Sequence, residues 1–184
     1  MSRKNNLTDL TYAAFFAALI AVLGTISVPL PFSPVPITGQ SLGVMLAGCI
    51  LSARQAGWGL LVFLLLGAVG LPVFAGFSGG IGILVGPRGG YLLGYLVGAI
   101  VIALLKGQQN ALWRLALANI AGGIVVVYVL GVLWLNFVTG MGLYKAVLAG
   151  ALPFIPGDLI KVFIAAVVGA AVNKRLLKAQ VKMG

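Results

Sequence analysis

The chain has 184 residues, of which 61% are hydrophobic and only 8% charged, and its mean hydropathy is +1.17. Soluble domains carry roughly 25% charged residues, so this composition excludes an ordinary soluble enzyme and points to an integral membrane protein. A net charge of +10 would suit nucleic acid, but the basic residues sit between apolar runs and at the two ends, as topology signals do.

A membrane-spanning helix needs about 20 apolar residues, so the length allows six short spans and little else. The opening stretch, "MSRKNNLTDLTYAAFFAALIAVLG", reads as a retained first helix rather than a signal peptide, because its apolar run is long and Pro-rich sequence follows at once. Helix 1 is predicted over Leu10–Val28, ending before "PLPFSPVP". A short or tilted helix 2 follows over Gln40–Leu51, then helix 3 over Gly57–Val73. Helix 4 is expected at Tyr91–Leu105, helix 5 at Leu112–Val138 and helix 6 at Gly157–Val172. No internal repeat divides the chain, so the expectation is an all-α bundle of about six transmembrane helices forming a single domain, residues 1–184. Cys49 has no partner for a disulfide and lies in an apolar run, which suits packing.

With the N-terminus inside, Arg3, Lys4, Arg54, Lys106, Arg114, Lys174, Arg175, Lys178 and Lys182 fall on the cytoplasmic side. That is nine against two outside, Arg88 and Lys145, while Lys161 lies within helix 6. This bias predicts that both termini are cytoplasmic. The short polar connections "SARQA" and "KGQQNALWR" then lie inside, and the Pro- and Gly-rich ones lie outside. The unusual loops therefore gather beside Asp158 and Lys161, suggesting a site open to the outside.

Asp158 is one of only two acidic residues, and the chain has no His. Asp158 and Lys161 are three residues apart, on one helix face. Two readings stand: a helix cap neutralised by the lysine, or a functional pair, since intramembrane ionisable residues are costly and usually face protein or water. The outer loop "AGFSGGIGILVGPRGGY" holds seven glycines between Gly76 and Gly90. Glycine lets backbone approach a ligand, and irregular backbone at membrane depth survives only in protein or beside a cavity. The alternative is a flexible outer loop. Ser78, Arg88 and Tyr91 add a hydroxyl, a cation and an aromatic face, and Gln40 is either a helix start or a ligand contact. Trp58, Trp113 and Trp134 suit interfacial anchors. Ala13, Ala17 and Ala21, with Ala14 and Ala18 in parallel, form a small-residue strip that serves either a partner helix or the bundle itself. The sequence has no nucleotide-binding motif, no His or Cys cluster for a metal, no cofactor site and no Ser-His-Asp set. Uphill transport would therefore need energy from a partner.

Four segments, "SPVPITGQSLGVMLAG", "GLPVFAG", "GPRGGYLLGY" and "FIPGDLIK", together resemble BioY, the biotin-specific substrate-binding subunit of energy-coupling factor (ECF) transporters. The resemblance covers nearly the whole chain. It implies a non-enzymatic, multi-pass subunit of a bacterial or archaeal cell membrane that captures biotin from outside. It also implies partners, namely a transmembrane coupling subunit and two cytoplasmic ATPases. Carried over by position, it implies biotin contacts at Asp158, Lys161, Gln40 and Tyr91, and coupling-subunit contacts at Ala13, Ala14, Ala17 and Ala18. Two positions depart from the pattern: Ser78 stands where relatives carry Asn in "GGNGG", and Leu92 where some carry Arg, with Arg88 as a candidate substitute. Biotin offers two ureido N–H donors, a carbonyl and a carboxylate. Asp158 can accept from the ureido ring, while Lys161 donates to its carbonyl or to the carboxylate. The rival readings are a subunit for another vitamin, since fold does not fix ligand, and a non-transporting membrane scaffold in which the pair fixes helix register.

Overall fold

A computed structural model describes residues 3–107 and 111–183. Of the basic residues counted to the cytoplasmic side, the side chains of Arg3, Lys4, Lys178 and Lys182 lie outside the described residues, as do positions 108–110 of one inner connection.

Helix α1 (Arg3–Thr25) ends earlier than the sequence suggests, because the Pro-rich segment forms a β-hairpin rather than an irregular loop. Strands β1 (Ser27–Leu30) and β2 (Ser33–Thr38) pair antiparallel, with Ser27 opposite Thr38 and Leu30 opposite Ser33. Both are edge strands, the place in a sheet where prolines such as Pro29, Pro34 and Pro36 are tolerated. The fold is thus predominantly helical but not purely α.

Helix α2 (Gln40–Ile50) follows at once, and at 1.5 Å per residue its 11 residues rise only about 16 Å. Its last carbonyls are met by side chains from other helices. Lys106 donates to Cys49 O at 3.0 Å and Leu51 O at 2.5 Å, and Asn173 donates to Cys49 O at 3.0 Å. Lys106, expected as a loop charge, is therefore a helix C-cap. Helix α3 (Ala53–Ala68) starts four residues before the expected Gly57. A capping box is the cause: Ser52 Oγ accepts from Gln55 N, and Gln55 Oε1 accepts from Ser52 N. It stops at Ala68 rather than Val73, because Gly70 turns the chain at φ +103° and Pro72 cannot continue a helix.

The glycine-rich loop folds around a short helix α4 (Ile81–Val85) and leads into α5 (Gly89–Leu105). Next, α6 (Leu112–Asn119), a π-helical segment (Ile120–Val126) and α7 (Val127–Thr139) run on as one rod of 28 residues. A short α8 (Leu143–Gly150), not foreseen from sequence, precedes α9 (Ile155–Met183).

Gly90, Gly94 and Gly98 make a small-residue stripe on α5 that lets this rod approach closely. A Cβ on Gly98 would strike the carbonyl of Gly122, and one on Gly94 would lie 3.0 Å from Val127 Cα. On the other side α5 packs against α3 and α2, while α2 also lies on α9. The core has three apolar clusters: Phe16, Ile20, Leu60 and Phe63; Met45, Ile102, Leu115 and Ala165; and Val35, Tyr91, Leu135 and Phe154. Outward faces are also apolar. On α9, Val162, Ala165 and Ala166 point inward while Phe163, Ile164, Val167 and Val168 are exposed. Leu112–Thr139 and Ile155–Leu176 are long and apolar enough to cross a membrane. An apolar exterior over an apolar interior is the pattern of a protein solvated by lipid.

Candidate functional site

The start of α9 places the charged pair. Pro156 falls in the first turn, where its missing N–H is harmless. Asp158 N donates to Phe154 O at 2.9 Å, and three residues later Lys161 rises on the same face. Lys161 Nζ lies 2.8 Å from Asp158 Oδ1. The carboxylate, only 5% exposed, does not serve merely as a local cap. Oδ1 also accepts from Ser41 Oγ at 3.1 Å, and Oδ2 accepts from the Tyr128 hydroxyl at 2.5 Å. Lys161 donates further to Thr38 O and Ser41 Oγ, each at 2.8 Å. The pair therefore ties α9 to β2, α2 and α7. Breaking a buried pair by removing one partner costs about 3–5 kcal/mol, because the other charge is left uncompensated.

This cluster lines one half of a cleft beneath the hairpin. Its walls include Thr38, Ser41, Tyr95, Val127, Tyr128 and Phe154, and its volume to the open mouth is about 330 Å³. The other half, about 320 Å³, is lined by Gln40, Phe74, Ala75, Ile83, Arg88 and Leu92. Val35, Pro36, Thr38, Tyr91 and Tyr95 line both halves, so β2 on one side and two tyrosines on the other divide a single cleft. The walls are mostly apolar with a few convergent polar groups, the kind of lining that small-ligand sites use.

The residues singled out from sequence are placed unequally. Tyr91 is buried at the waist of the cleft, its ring seated on Gly131 and its hydroxyl donating to Gly150 O at 2.7 Å. A Cβ at Gly131 or Gly150 would occupy the space of that tyrosine. Gln40 lines the cleft and donates to Val73 O at 3.1 Å, with Gly24 packed against its amide. It thus both opens α2 and pins the glycine-rich loop. Arg88 reaches over the cleft mouth, and its Nε donates to Pro34 O at 3.3 Å. Ser78 is not brought to the lining: its hydroxyl donates to Ala75 O at 2.8 Å inside a tight turn with Phe77 at φ +57°. The alanine strip splits. Ala13 and Ala17 are buried, Ala13 against Gly59 of α3, while Ala14 and Ala18 stay exposed. Of the tryptophans, Trp134 donates to Gly86 O at 3.0 Å and braces the loop, while Trp113 lies 5.6 Å from the Arg114 guanidinium.

Sequence reading missed Ser41, Tyr95, Thr38 and Tyr128. Tyr95 had a signal, lying one helical turn after Tyr91 on the same face. Tyr128 had only its hydroxyl within "GGIVVVYVLG". A separate void of about 610 Å³ lies at the opposite end of α1 and α3, lined by Asp9, Leu10, Arg54, Trp58 and Val62. It is an open surface groove remote from the charged pair. Asp9 there accepts from Gln55 Nε2 at 2.7 Å.

A lipid-solvated helical bundle with a buried acid–base pair in the wall of a hairpin-covered cleft defines a membrane protein built around a small-ligand site. The model of the BioY family matches residues 1–178, and the chain belongs to that family. It is 45% identical over 173 residues to the biotin transporter BioY of Rhizobium etli, covering 89% of this chain and 92% of the relative. Against the biotin transporter BioY of Thermotoga maritima it is 42% identical over 169 residues, covering 91% and 97%. A crystal structure of the S-component for biotin from an ECF-type ABC transporter superposes with a TM-score of 0.86 at 32% identity, covering 95% of each chain.

Proposed function

We propose that this chain captures biotin at the outer face of a bacterial or archaeal cell membrane, as the S component of an ECF-type ABC transporter. Family membership, the biotin transporters among its relatives and the structural likeness to a biotin S-component support the reading. The observation that carries it is the Asp158–Lys161 pair, its carboxylate buried, facing a cleft instead of closed core. The chain performs no reaction on the vitamin and binds no nucleic acid. Energy comes from two partner ATPases acting through a transmembrane coupling subunit. The bundle crosses the bilayer six times, along α1, α2, α3, α5, the Leu112–Thr139 rod and α9, with both termini cytoplasmic. The distribution of Lys and Arg supports that orientation.

Within the cleft, the ureido ring lies against Asp158 and the carboxylate end lies toward Arg88. Lys161 already spends its three protons on Thr38, Ser41 and Asp158, whereas only the Nε of Arg88 is engaged among the described residues. Gln40 and Tyr91 shape the waist between the two ends. Ser78 holds the loop that carries Ala75 and contributes no direct contact. A charge-assisted hydrogen bond contributes about 1.5–3 kcal/mol, and nanomolar affinity needs about 12 kcal/mol. The apolar and aromatic walls therefore supply much of the binding. Ala14 and Ala18, with the outward face of α1, meet the coupling subunit.

The test is uptake of labelled biotin by cells that neither make nor import it, expressing this chain with and without an ECF module. Accumulation that depends on the module and on ATP supports the reading. No uptake with every subunit present in the membrane would end it.

A further inference from the structure

We propose that the groove between α1 and α3, at the end of the bundle remote from the cleft, is a phospholipid site selective for a headgroup that carries a primary amine beside its phosphate. Asp9 meets the ammonium and Arg54 the phosphate. This site is independent of the ligand that fills the cleft.

Asp9 is the second of the chain's two acidic residues and takes no part in the cleft. It stands on α1 beside the first turns of α3, and Asp9, Leu10, Arg54, Trp58 and Val62 line one groove. Gln55 ties the two walls together, its Nε2 donating to Asp9 Oδ1 at 2.7 Å. One turn further in, the helices touch where Ala13 packs on Gly59. Asp9 and Arg54 nevertheless form no ion pair, since Asp158–Lys161 is the only one among the described residues. Arg54 is exposed, and among the described residues its guanidinium makes no hydrogen bond and Asp9 Oδ2 accepts none. An acid and a base that face one groove unpaired are the complement of a zwitterion.

The α3 wall passes from charge to hydrocarbon along its length. Arg54, Trp58 and Val62 follow at four-residue spacing on one helix face, so Trp58 lies about 6 Å and Val62 about 12 Å along the axis from Arg54. Leu65 and Leu66 continue that face and are exposed. A guanidinium, an indole and then aliphatic side chains repeat the order of a phospholipid from phosphate through glycerol to acyl chain. Tryptophan is enriched at that headgroup boundary, and Trp58 is exposed there. A guanidinium holds phosphate through two parallel N–H donors. The carboxylate then chooses among headgroups. Ethanolamine brings an ammonium with three N–H donors for Asp9. Choline brings a cation with no N–H, and glycerol brings no cation, which leaves the phosphate charge facing the carboxylate.

The test is native mass spectrometry of the full, detergent-solubilised chain as wild type, Asp9→Asn and Arg54→Gln. Phosphatidylethanolamine, phosphatidylcholine and phosphatidylglycerol with identical acyl chains are each added alone. The expected result is one phosphatidylethanolamine retained per wild-type chain, held about three- to tenfold more tightly than either other lipid. Asp9→Asn keeps an oxygen for Gln55 and should bring phosphatidylethanolamine down to the level of phosphatidylcholine. Arg54→Gln should weaken all three. Wild type that retains no lipid, or all three equally, overturns the assignment, and that comparison needs no variant. Phosphatidylglycerol held tightest would also overturn it, because Arg54 would then act alone as an anion site. A preference for phosphatidylethanolamine that survives unchanged in folded Asp9→Asn would do the same. Variants that lose assembly with the ECF module, beside a wild type without headgroup preference, would give the groove to a protein partner instead.

Discussion

Replacing Asp158 and Lys161 singly and together separates a ligand site from a register lock. In Asp158→Asn, one oxygen of the carboxylate becomes an NH2 group that cannot accept. Either Tyr128 or the Ser41–Lys161 side then loses its partner, and the ammonium stays half-buried without its counter-charge. Lys161→Met leaves the carboxylate, 5% exposed, with two hydroxyl donors and no cation. Each single change should cost about 3–5 kcal/mol of stability. The double variant leaves no unpaired charge and should recover most of that loss. Binding should behave differently. Loss of a charge-assisted bond to the ligand removes about 1.5–3 kcal/mol, roughly a ten- to 150-fold drop in affinity, and the double variant should not regain it. Thermal unfolding in detergent reads the first quantity and calorimetric titration with biotin the second. A double variant that is stable and binds biotin like wild type would refute the reasoning, because the pair would then only fix how α9 packs.

Three further outcomes follow from particular contacts. Arg88→Ala should weaken biotin about tenfold or more while changing the affinity for biotin methyl ester little, because the ester lacks the charge that the guanidinium meets; equal losses for both ligands would move the carboxylate elsewhere. Gly150→Ala places a methyl group where the Tyr91 hydroxyl sits, so overpacking should cost about 1–3 kcal/mol and displace the ring from the cleft, read as a lower unfolding temperature and weaker biotin binding. Ala14→Leu with Ala18→Leu should leave biotin binding to the isolated chain intact but reduce uptake with the ECF module, since both positions face outward on α1; normal uptake would place the docking face on another helix.

The charged pair was legible from sequence because charge is so scarce in this chain and because three residues is a helical spacing. Its partners were not, because contacts made by folding across the bundle leave no local pattern. Ser41 and Tyr128 lie 117 and 30 residues from Asp158. The long apolar run from Leu112 announced a helix, but not its π-helical segment, within which Gly122 packs closely on Gly98 of α5. The hairpin was hidden by its prolines, which read as breakers although edge strands accept them. The start of α3 was legible and went unread: Ser52 and Gln55 are a capping box in plain sequence. Ser78 shows the limit of reading by resemblance. The resemblance suggested a ligand contact there, whereas the Ser78 hydroxyl donates to Ala75 O within its own turn.

The most direct measurement is calorimetric titration of biotin into the purified, detergent-solubilised wild-type chain. The account predicts one tight, saturable site with affinity in the nanomolar range, abolished or strongly weakened in well-folded Asp158→Asn. A folded wild-type chain that gives no heat of binding with biotin would contradict it.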